Sequence, residues 1–177
     1  MPDELNSDLL RRFVQGDLEA FESLFREFQV VVYRWALRIV RDPGIAEEVV
    51  VEAFWRAYRG RARFDCARSF GAWMRQIATN VARDHLRSAR RRAGWRSIDD
   101  EIPAPDRSDR GIDESVALAF RRLSPKLQVV ATLALIEERP YGEIADALAI
   151  PVGTVKSRVF HATRALRKEL ARLGVRP

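Results

Sequence analysis

The sequence predicts an all-α protein made of two small helical domains joined by a flexible linker, and three observations support this prediction. Apolar residues recur at steps of three and four along most of the chain, as they do on one face of a helix. No segment alternates apolar and polar residues over a useful length, so no sheet is expected. The stretch 93–112 contains Pro103, Pro105 and two glycines and has little periodicity, which is typical of a linker. We therefore expect domains at 1–92 and 113–177, with the linker 93–112 between them.

The first domain is expected to contain four helices. A short one comes first, with an apolar face of Leu9, Leu10, Phe13 and Val14. A longer face follows Gly16 and Asp17, and it consists of Phe21, Leu24, Phe25, Phe28, Val32, Trp35 and Ile39. Asp42-Pro43-Gly44 ends this helix, and Pro43 suits the first turn of the next. The last two helices bury Val49, Val50, Ala53, Phe54, Ala57 and Tyr58, and then Phe70, Trp73, Ile77 and Val81.

The second domain is expected to contain helices near 113–122, 125–136, 140–147 and 151–171. Ser124 before Pro125 predicts an N-cap followed by proline at the first helical position. A tight break at Ile150–Gly153 separates the third helix from a longer one whose regular part is expected to begin at Thr154. This pattern is a helix-turn-helix.

Charge and cysteine content narrow the functional classes. The chain carries 31 basic and 25 acidic residues, and its net charge of +6 divides into +4 in 1–92, −2 in 93–112 and +4 in 113–177. Two basic domains favour a polyanionic partner. The single cysteine, Cys66, excludes an internal disulfide and a cysteine-based zinc site, and His85 has no partner at ligand spacing. We expect neither a metal nor a cofactor.

The N-terminus and the apolar runs bear on location. The first ten residues contain acids and no apolar core, and no apolar run reaches the roughly 20 residues that a membrane span needs. We therefore expect no signal peptide, no membrane insertion and a cytoplasmic location.

The last helix has polar side chains near its N-terminal end, as a helix that enters the DNA major groove must have. Lys156, Ser157, Arg158 and His161 lie there, while Val155 and Val159, with Leu166 further on, can face the supporting helices. Thr154 could cap the helix and meet a phosphate. Taken alone, a solvated amphipathic helix explains this pattern equally well.

Several motifs resemble the bacterial sigma factors of the extracytoplasmic-function group. The segment "YGEIADAL…IPVGTVKSRV" resembles their region four. In the first domain, "DLEAFESLFREFQVVVYRWALRIVRD" is similar to the opening helix of region two, "AEEVVVEAFWRAY" to the polymerase-binding helix, and "SFGAWMRQIATNVARDHLRSARRR" to the promoter-melting helix. The resemblance covers nearly the whole chain in the family's order.

The resemblance implies a transcription initiation subunit with no catalysis of its own. Region two would dock on the clamp coiled coil of core RNA polymerase and open the minus-ten element of promoter DNA. Region four would read the minus-thirty-five element and touch the polymerase flap. An anti-sigma factor is a further expected partner. The acidic linker, with Asp99, Asp100 and Glu101, would thread toward the active-site channel, although a plain solubilising linker has the same composition.

The resemblance also implies three sets of binding residues, with none for catalysis or metal. The polymerase-binding set is Asp42, Glu47, Glu48 and Glu52. The minus-ten set is Phe64, Asp65, Ser69, Gln76, Asn80, Arg83 and Arg87. The minus-thirty-five set is Thr154, Lys156, Ser157, Arg158, His161 and Arg164.

In the minus-ten set, Phe64 would stack on a flipped base, while Asp65, Ser69 and Asn80 would bond its edge. The sequence departs from the commoner family pattern at Cys66 and Ala67, where Gly or Glu is usual, and at His161, where Arg is frequent. The identity of the recognised bases is therefore open.

The residues alone leave plainer alternatives. The acidic face of the third helix could be solvated, with an intrahelical Glu52–Arg56 pair worth about 0.3–0.5 kcal/mol, and Asn80 could be a surface amide. A stand-alone helix-turn-helix regulator would explain 140–171 but would leave 62–92 and the acidic helix without a role. A nucleic-acid enzyme is disfavoured by two histidines, one cysteine and no carboxylates clustered at metal spacing.

Overall fold

The computed structural model describes residues 7–92 and 112–175, and every regular element within these ranges is helical. The predicted all-α class is confirmed. The chain divides into two compact units, one formed by residues 1–85 with 146–149 and the other by 86–145 with 150–177. The predicted linker 93–112 lies outside the described residues except for its last one. The linker and the domain bounds stay predictions.

Four helices lie within residues 7–92, as the sequence predicts. They are α1 (Ser7–Gln15), α2 (Leu18–Val40), α3 (Pro43–Gly60) and α4 (Phe70–Arg92), with a short 3₁₀ turn at Arg61–Arg63. The first unit ends within α4, after His85.

Local chemistry explains where α2 and α3 begin. Gly16 follows α1 directly and has φ +93°, a left-handed conformation that favours glycine. The Asp17 carboxylate then accepts two N–H groups of the first turn of α2, at 2.9 and 3.2 Å. Arg41 terminates α2 with φ +56°, and Asp42 caps α3 with Pro43 in its first turn. The predicted stop at Asp42-Pro43-Gly44 is confirmed.

Aromatic side chains fill the core of the first unit. Phe28, Trp35 and Phe54 are at most 4% exposed, as the stripe pattern predicts. Phe21 and Phe25 were expected to be buried as well, but they are only half-buried, with ring centroids 6.3 and 4.8 Å from that of Phe54. Both lie at the edge of the core, because the apolar face of α2 is wider than the surface that covers it.

A buried hydrogen bond joins α2 to α4 within this core. The indole Nε1 of Trp35 donates to the hydroxyl of Thr79 at 2.9 Å, and that hydroxyl donates to the carbonyl of Arg75 at 2.7 Å. Thr79 is only 1% exposed, so its hydroxyl is satisfied entirely within the protein.

The helices of residues 112–175 also match the predicted order. They are α5 (Ile112–Arg122), α6 (Pro125–Ala131), α7 (Tyr141–Leu148) and α8 (Val152–Arg172), and α6 continues into a π-helical turn at Thr132–Ile136. The backbone between α7 and α8 passes through Ala149 with φ +51°, a left-handed turn residue.

Of two predictions about helix starts, one is confirmed and one is wrong. Ser124 occupies the N-cap position of α6 and Pro125 its first helical position, although the Ser124 side chain makes no capping hydrogen bond. α8 begins at Val152 rather than Thr154, directly after Pro151, whose fixed φ of −60° suits the position before a helix. Thr154 lies inside the first turn, and its N–H donates to the carbonyl of Pro151 at 2.9 Å, so it is not the cap.

A small apolar core holds α5, α6 and α8 together. It consists of Ala119, Leu123, Ala131, Ala162 and Leu166. Val155 and Val159 of α8 are also buried, at 0 and 8% exposure, as predicted. The stripe of α8 therefore faces its support, and the opposite side of the helix faces solvent.

A buried ion pair accompanies this core. Glu169 on α8 is 2% exposed, and its carboxylate lies 2.8 Å from Arg122 of α5 and 3.2 Å from Arg172. A charge with so little solvent needs a partner of opposite sign, which these two guanidinium groups supply. The sequence alone did not predict this contact.

Among the helices in the described parts of the chain, none is long and apolar enough to cross a lipid bilayer.

Candidate functional site

The solvent side of α3 carries the predicted polymerase-binding carboxylates. Glu47 and Glu48 are exposed and Glu52 is half-buried. Asp42, the fourth member of the set, is exposed at the end of α3, where its carboxylate accepts the N–H of Ile45 at 3.0 Å. Asp42 thus has a structural role as a helix cap.

Two of these carboxylates have basic side chains nearby within the first unit. Glu52 accepts a hydrogen bond from Arg56 at 2.7 Å, and Arg56 also donates to Asp84 of α4 at 3.2 Å. The hydrogen bond that Arg56 donates to Glu52 is the main cause that raises the pKa of Arg56. Glu48 lies 3.7 Å from Nδ1 of His85. The intrahelical Glu52–Arg56 pair considered from the sequence is therefore present.

The same side of α3 exposes two large apolar residues that the stripe pattern did not assign. Val51 is 66% exposed and Trp55 is 54% exposed. They lie one turn apart, next to the carboxylates. We call this surface, made of Glu47, Glu48, Val51, Glu52 and Trp55, the acidic face of α3. Sequence analysis could have found the pair, because neither residue falls on the buried stripe of the helix.

The loop before α4 holds three predicted minus-ten residues, and the structure moves one of them into the core. Phe64 is 6% exposed, with its ring centroid 4.7 Å from that of Trp73 and 5.6 Å from that of Phe70. Phe64 therefore has no free face on which a base could stack. The aromatic neighbours that bury it come from α4, which the local sequence pattern did not reveal.

Asp65 and Ser69 remain on the surface and shape the loop. The Asp65 carboxylate accepts the N–H of Ala67 at 2.9 Å, and Arg68 lies 3.8 Å away. The Ser69 hydroxyl accepts the N–H of Ala72 at 3.3 Å at the start of α4. These bonds fix the entry into α4 and leave the Asp65 side chain 61% exposed.

The remaining minus-ten residues share one side of α4. Gln76, Asn80, Arg83 and Arg87 follow at steps of three and four, which places them on one face. Arg83 donates to the amide oxygen of Asn80 at 2.9 Å, and both Asn80 and Arg87 are exposed. Gln76 and Arg83 are half-buried, and the Nε of Arg83 is buried without a hydrogen-bond partner among the described residues. The structure thus joins Asn80 and Arg83 into one polar group.

The solvent side of α8 carries the predicted minus-thirty-five residues. Lys156, Ser157, His161 and Arg164 are exposed, whereas Thr154 and Arg158 are half-buried at the edges of that side. We call this side of α8 the reading face. It also includes Phe160, which the sequence analysis missed. Phe160 is 64% exposed, and its ring contacts that of His161 edge to face with centroids 5.7 Å apart.

Within the described residues, no group of three or more His, Cys, Asp or Glu side chains could hold a metal ion. Cys66 is a half-buried free thiol. The side chains of the three surfaces offer hydrogen bonds, ion pairs and apolar contacts.

Comparison with known families assigns the chain. Residues 24–92 match sigma-70 region 2, and residues 113–166 match sigma-70 region 4. RNA polymerase sigma-H factor of Pseudomonas aeruginosa is 31% identical, over 94% of this chain and 94% of its own. The ECF RNA polymerase sigma factor SigL of Mycobacterium tuberculosis is 36% identical, over 86% of this chain and 90% of its own. The chain belongs to the sigma-70 family, in its extracytoplasmic-function (ECF) group of RNA polymerase sigma factors.

Solved structures agree on the fold. CnrH, in complex with the cytosolic domain of CnrY, has a TM-score of 0.57 at 23% identity and covers 94% of this chain. The sigma factor RpoE of Bartonella quintana, in complex with the anti-sigma factor NepR, has a TM-score of 0.52 at 19% identity and covers 85% of this chain.

Proposed function

We propose that this ECF sigma factor uses three separate surfaces: the acidic face of α3 for core RNA polymerase, the polar side of α4 for the minus-ten element, and the reading face of α8 for the minus-thirty-five element. The observation that carries the proposal is that one chain has two surfaces of different chemistry. One helix exposes carboxylates, and another exposes cations and hydroxyls opposite a buried stripe of Val155, Val159, Ala162 and Leu166. A polymerase subunit that also reads DNA needs both.

The polymerase-binding set comprises Glu47, Glu48 and Glu52, with Asp42 as the cap that fixes the start of their helix. Carboxylates on a rigid helix suit a partner surface with basic side chains, since complementary charge steers association and sets orientation. The proposal is supported by the resemblance of "AEEVVVEAFWRAY" to the polymerase-binding helix of the family's region two.

The minus-ten set is reduced by the burial of Phe64. Asn80 and the 61% exposed Asp65 carboxylate offer hydrogen-bonding groups for a base edge, with Ser69 beside them at the start of α4. Arg83 and Arg87 offer phosphate contacts, which would make this part of binding salt-dependent. A stacking surface, if one is used, has to come from another residue than Phe64.

The minus-thirty-five set keeps Lys156, Ser157, His161 and Arg164 at its centre. Arginine can bond a guanine edge with two hydrogen bonds, and the other side chains can bond bases or phosphates. Thr154 and Arg158, at the edges of the reading face, suit phosphate contacts better than base contacts.

The chain is proposed to have no catalytic activity of its own, because core polymerase supplies the chemistry, and to act in the cytoplasm with that enzyme. We also propose an anti-sigma factor as a regulatory partner, the class of partner named for the structural neighbour RpoE.

The test uses the full chain with core polymerase and a promoter selected from a random library by that holoenzyme. Arg164→Ala should weaken binding to duplex that carries the minus-thirty-five element by about 1–3 kcal/mol, and the loss should vanish when that element is scrambled. Asn80→Ala should leave this duplex binding intact and reduce binding to single-stranded minus-ten DNA. Arg167→Ala, which removes the same charge further from the N-terminus of α8, is the matched control and should have a smaller effect.

Two results would contradict the proposal. Equal defects of Arg164→Ala and Asn80→Ala on both kinds of DNA would mean that the two surfaces do not have separate roles. Tight sequence-specific binding by the free chain as a dimer would indicate a stand-alone regulator instead.

A further inference from the structure

The acidic face of α3 contains an apolar centre that the carboxylates do not explain. Val51 and Trp55 are 66% and 54% exposed, whereas Trp35 in the same unit is 4% exposed. A large aromatic side chain is normally buried for most of its surface. An exposed tryptophan beside an aliphatic residue, with charged residues around both, has the composition of an interface centre with its polar rim.

The Trp55 ring is also held in place. It stacks on Tyr58 with centroids 6.5 Å apart and an angle of 22° between the rings. Tyr58 in turn lies under the guanidinium of Arg61, 4.5 Å from its centroid, and its hydroxyl donates to the carbonyl of Gly16 at 3.4 Å. A side chain that is ordered before binding loses less conformational entropy when a partner covers it.

One of the carboxylates around this centre is already paired within the protein. Glu52 accepts a hydrogen bond from Arg56, which also contacts Asp84. This pairing reduces the charge that Glu52 offers to a basic partner. Apolar contact is therefore needed to supply part of the affinity of this surface.

We propose that Val51 and Trp55 form the apolar anchor by which α3 binds core RNA polymerase, while the surrounding carboxylates set orientation and salt dependence. This inference rests on the proposed polymerase-binding role of α3. The occupant is core polymerase rather than DNA, because an apolar pair bordered by three carboxylates would repel phosphates. The polymerase surface should accordingly present an apolar notch bordered by basic side chains.

The experiment measures the affinity of fluorescently labelled full chain for core polymerase at low and at high salt. Trp55→Ala should weaken binding at both salt concentrations by about thirtyfold or more, which is the threshold for a residue that dominates an interface. Val51→Ala should weaken binding less, because a smaller side chain is removed. Leu18→Ala on α2, a residue that is 62% exposed, is the matched control and should leave the affinity unchanged. Circular dichroism checks that each variant folds.

The double variant Glu48→Lys with Glu52→Lys tests the polymerase-binding role of α3 separately from the apolar anchor. If this variant loses affinity mainly at low salt and Trp55→Ala loses affinity at both, the anchor is supported. If the charge reversal weakens binding but Trp55→Ala does not, the anchor is wrong and the polymerase-binding face stands. If neither changes the affinity while the holoenzyme still forms, α3 is not the polymerase interface at all.

One further result would overturn the proposal in favour of another occupant. This result is a dimer of the free chain in sedimentation, which Trp55→Ala dissociates without changing the affinity for polymerase. The apolar pair would then bind a second copy of this chain.

Discussion

Replacement of Glu169 by glutamine should destabilise the second unit strongly, although it changes only one charged residue on a helix. The carboxylate is buried, and it lies 2.8 Å from Arg122 and 3.2 Å from Arg172. Arg172 is 33% exposed and can turn toward solvent, but Arg122 is only 11% exposed and cannot do so without moving α5. The substitution therefore leaves the Arg122 charge buried without compensation.

The expected loss of unfolding free energy follows from this geometry. Removing one partner of a buried pair costs about 3–5 kcal/mol. The lower end applies here, since the glutamine carbonyl can still accept one hydrogen bond from Arg122. A loss of about 3 kcal/mol is a large part of the stability of a small domain. Replacing both partners, as in Arg122→Met with Glu169→Leu, should restore stability to within about 1 kcal/mol of the parent.

The two units can be followed separately in urea. Of the four tryptophans, Trp35, Trp55 and Trp73 lie in the first unit, whereas Trp95 falls within 86–145. In a Trp95→Phe background, tryptophan fluorescence therefore reports on the first unit, whereas circular dichroism reports on both. Glu169→Gln should shift only the dichroism transition. Glu143→Gln is the control, because Glu143 is 56% exposed and lies 3.6 Å from Arg139 in a surface pair worth about 0–1 kcal/mol.

Two results would refute this reasoning. A shift no larger than that of the control would mean that the buried pair contributes little. An equal shift of the fluorescence transition would mean that the two units unfold together.

Two further predictions concern the first unit. Trp35→Phe removes the donor to the buried hydroxyl of Thr79 and should lower the free energy of unfolding by about 1–3 kcal/mol. Urea unfolding followed by circular dichroism measures this change. An unchanged free energy would mean that the hydrogen bond adds nothing to stability. The pKa of Asp17 is lowered in the folded protein, chiefly by the hydrogen bond that it accepts from Arg12. The ionised carboxylate therefore stabilises the fold at pH values above its unfolded pKa of about 4. This contribution is lost as the pH falls through the lower folded pKa. Asp17→Asn retains an N-cap but not the charge, and its stability should accordingly vary less with pH below about 4 than that of the parent; equal pH dependence would contradict this role.

The sequence by itself determined the helices and which side of each is buried. Steps of three and four depend only on residues within two turns of one another, so the stripe through Phe28 and Trp35, and that through Val155 and Val159, could be identified without knowledge of the fold. The stop at Asp42-Pro43-Gly44 followed from equally local chemistry. The motifs that placed the chain among sigma factors were also continuous stretches, which is why the family could be recognised.

Only the tertiary structure decided which side chains meet across helices. Phe64 looked like an exposed loop aromatic, but Phe70 and Trp73 of α4 bury it. No local pattern around Glu169 indicates a partner, but Arg122, 47 positions earlier, pairs with it inside the protein. Trp55 is the opposite case: it is a large aromatic residue, but no helix of the described chain covers it. Periodicity assigns a residue to a side of its own helix, and the partner on that side depends on how distant segments pack.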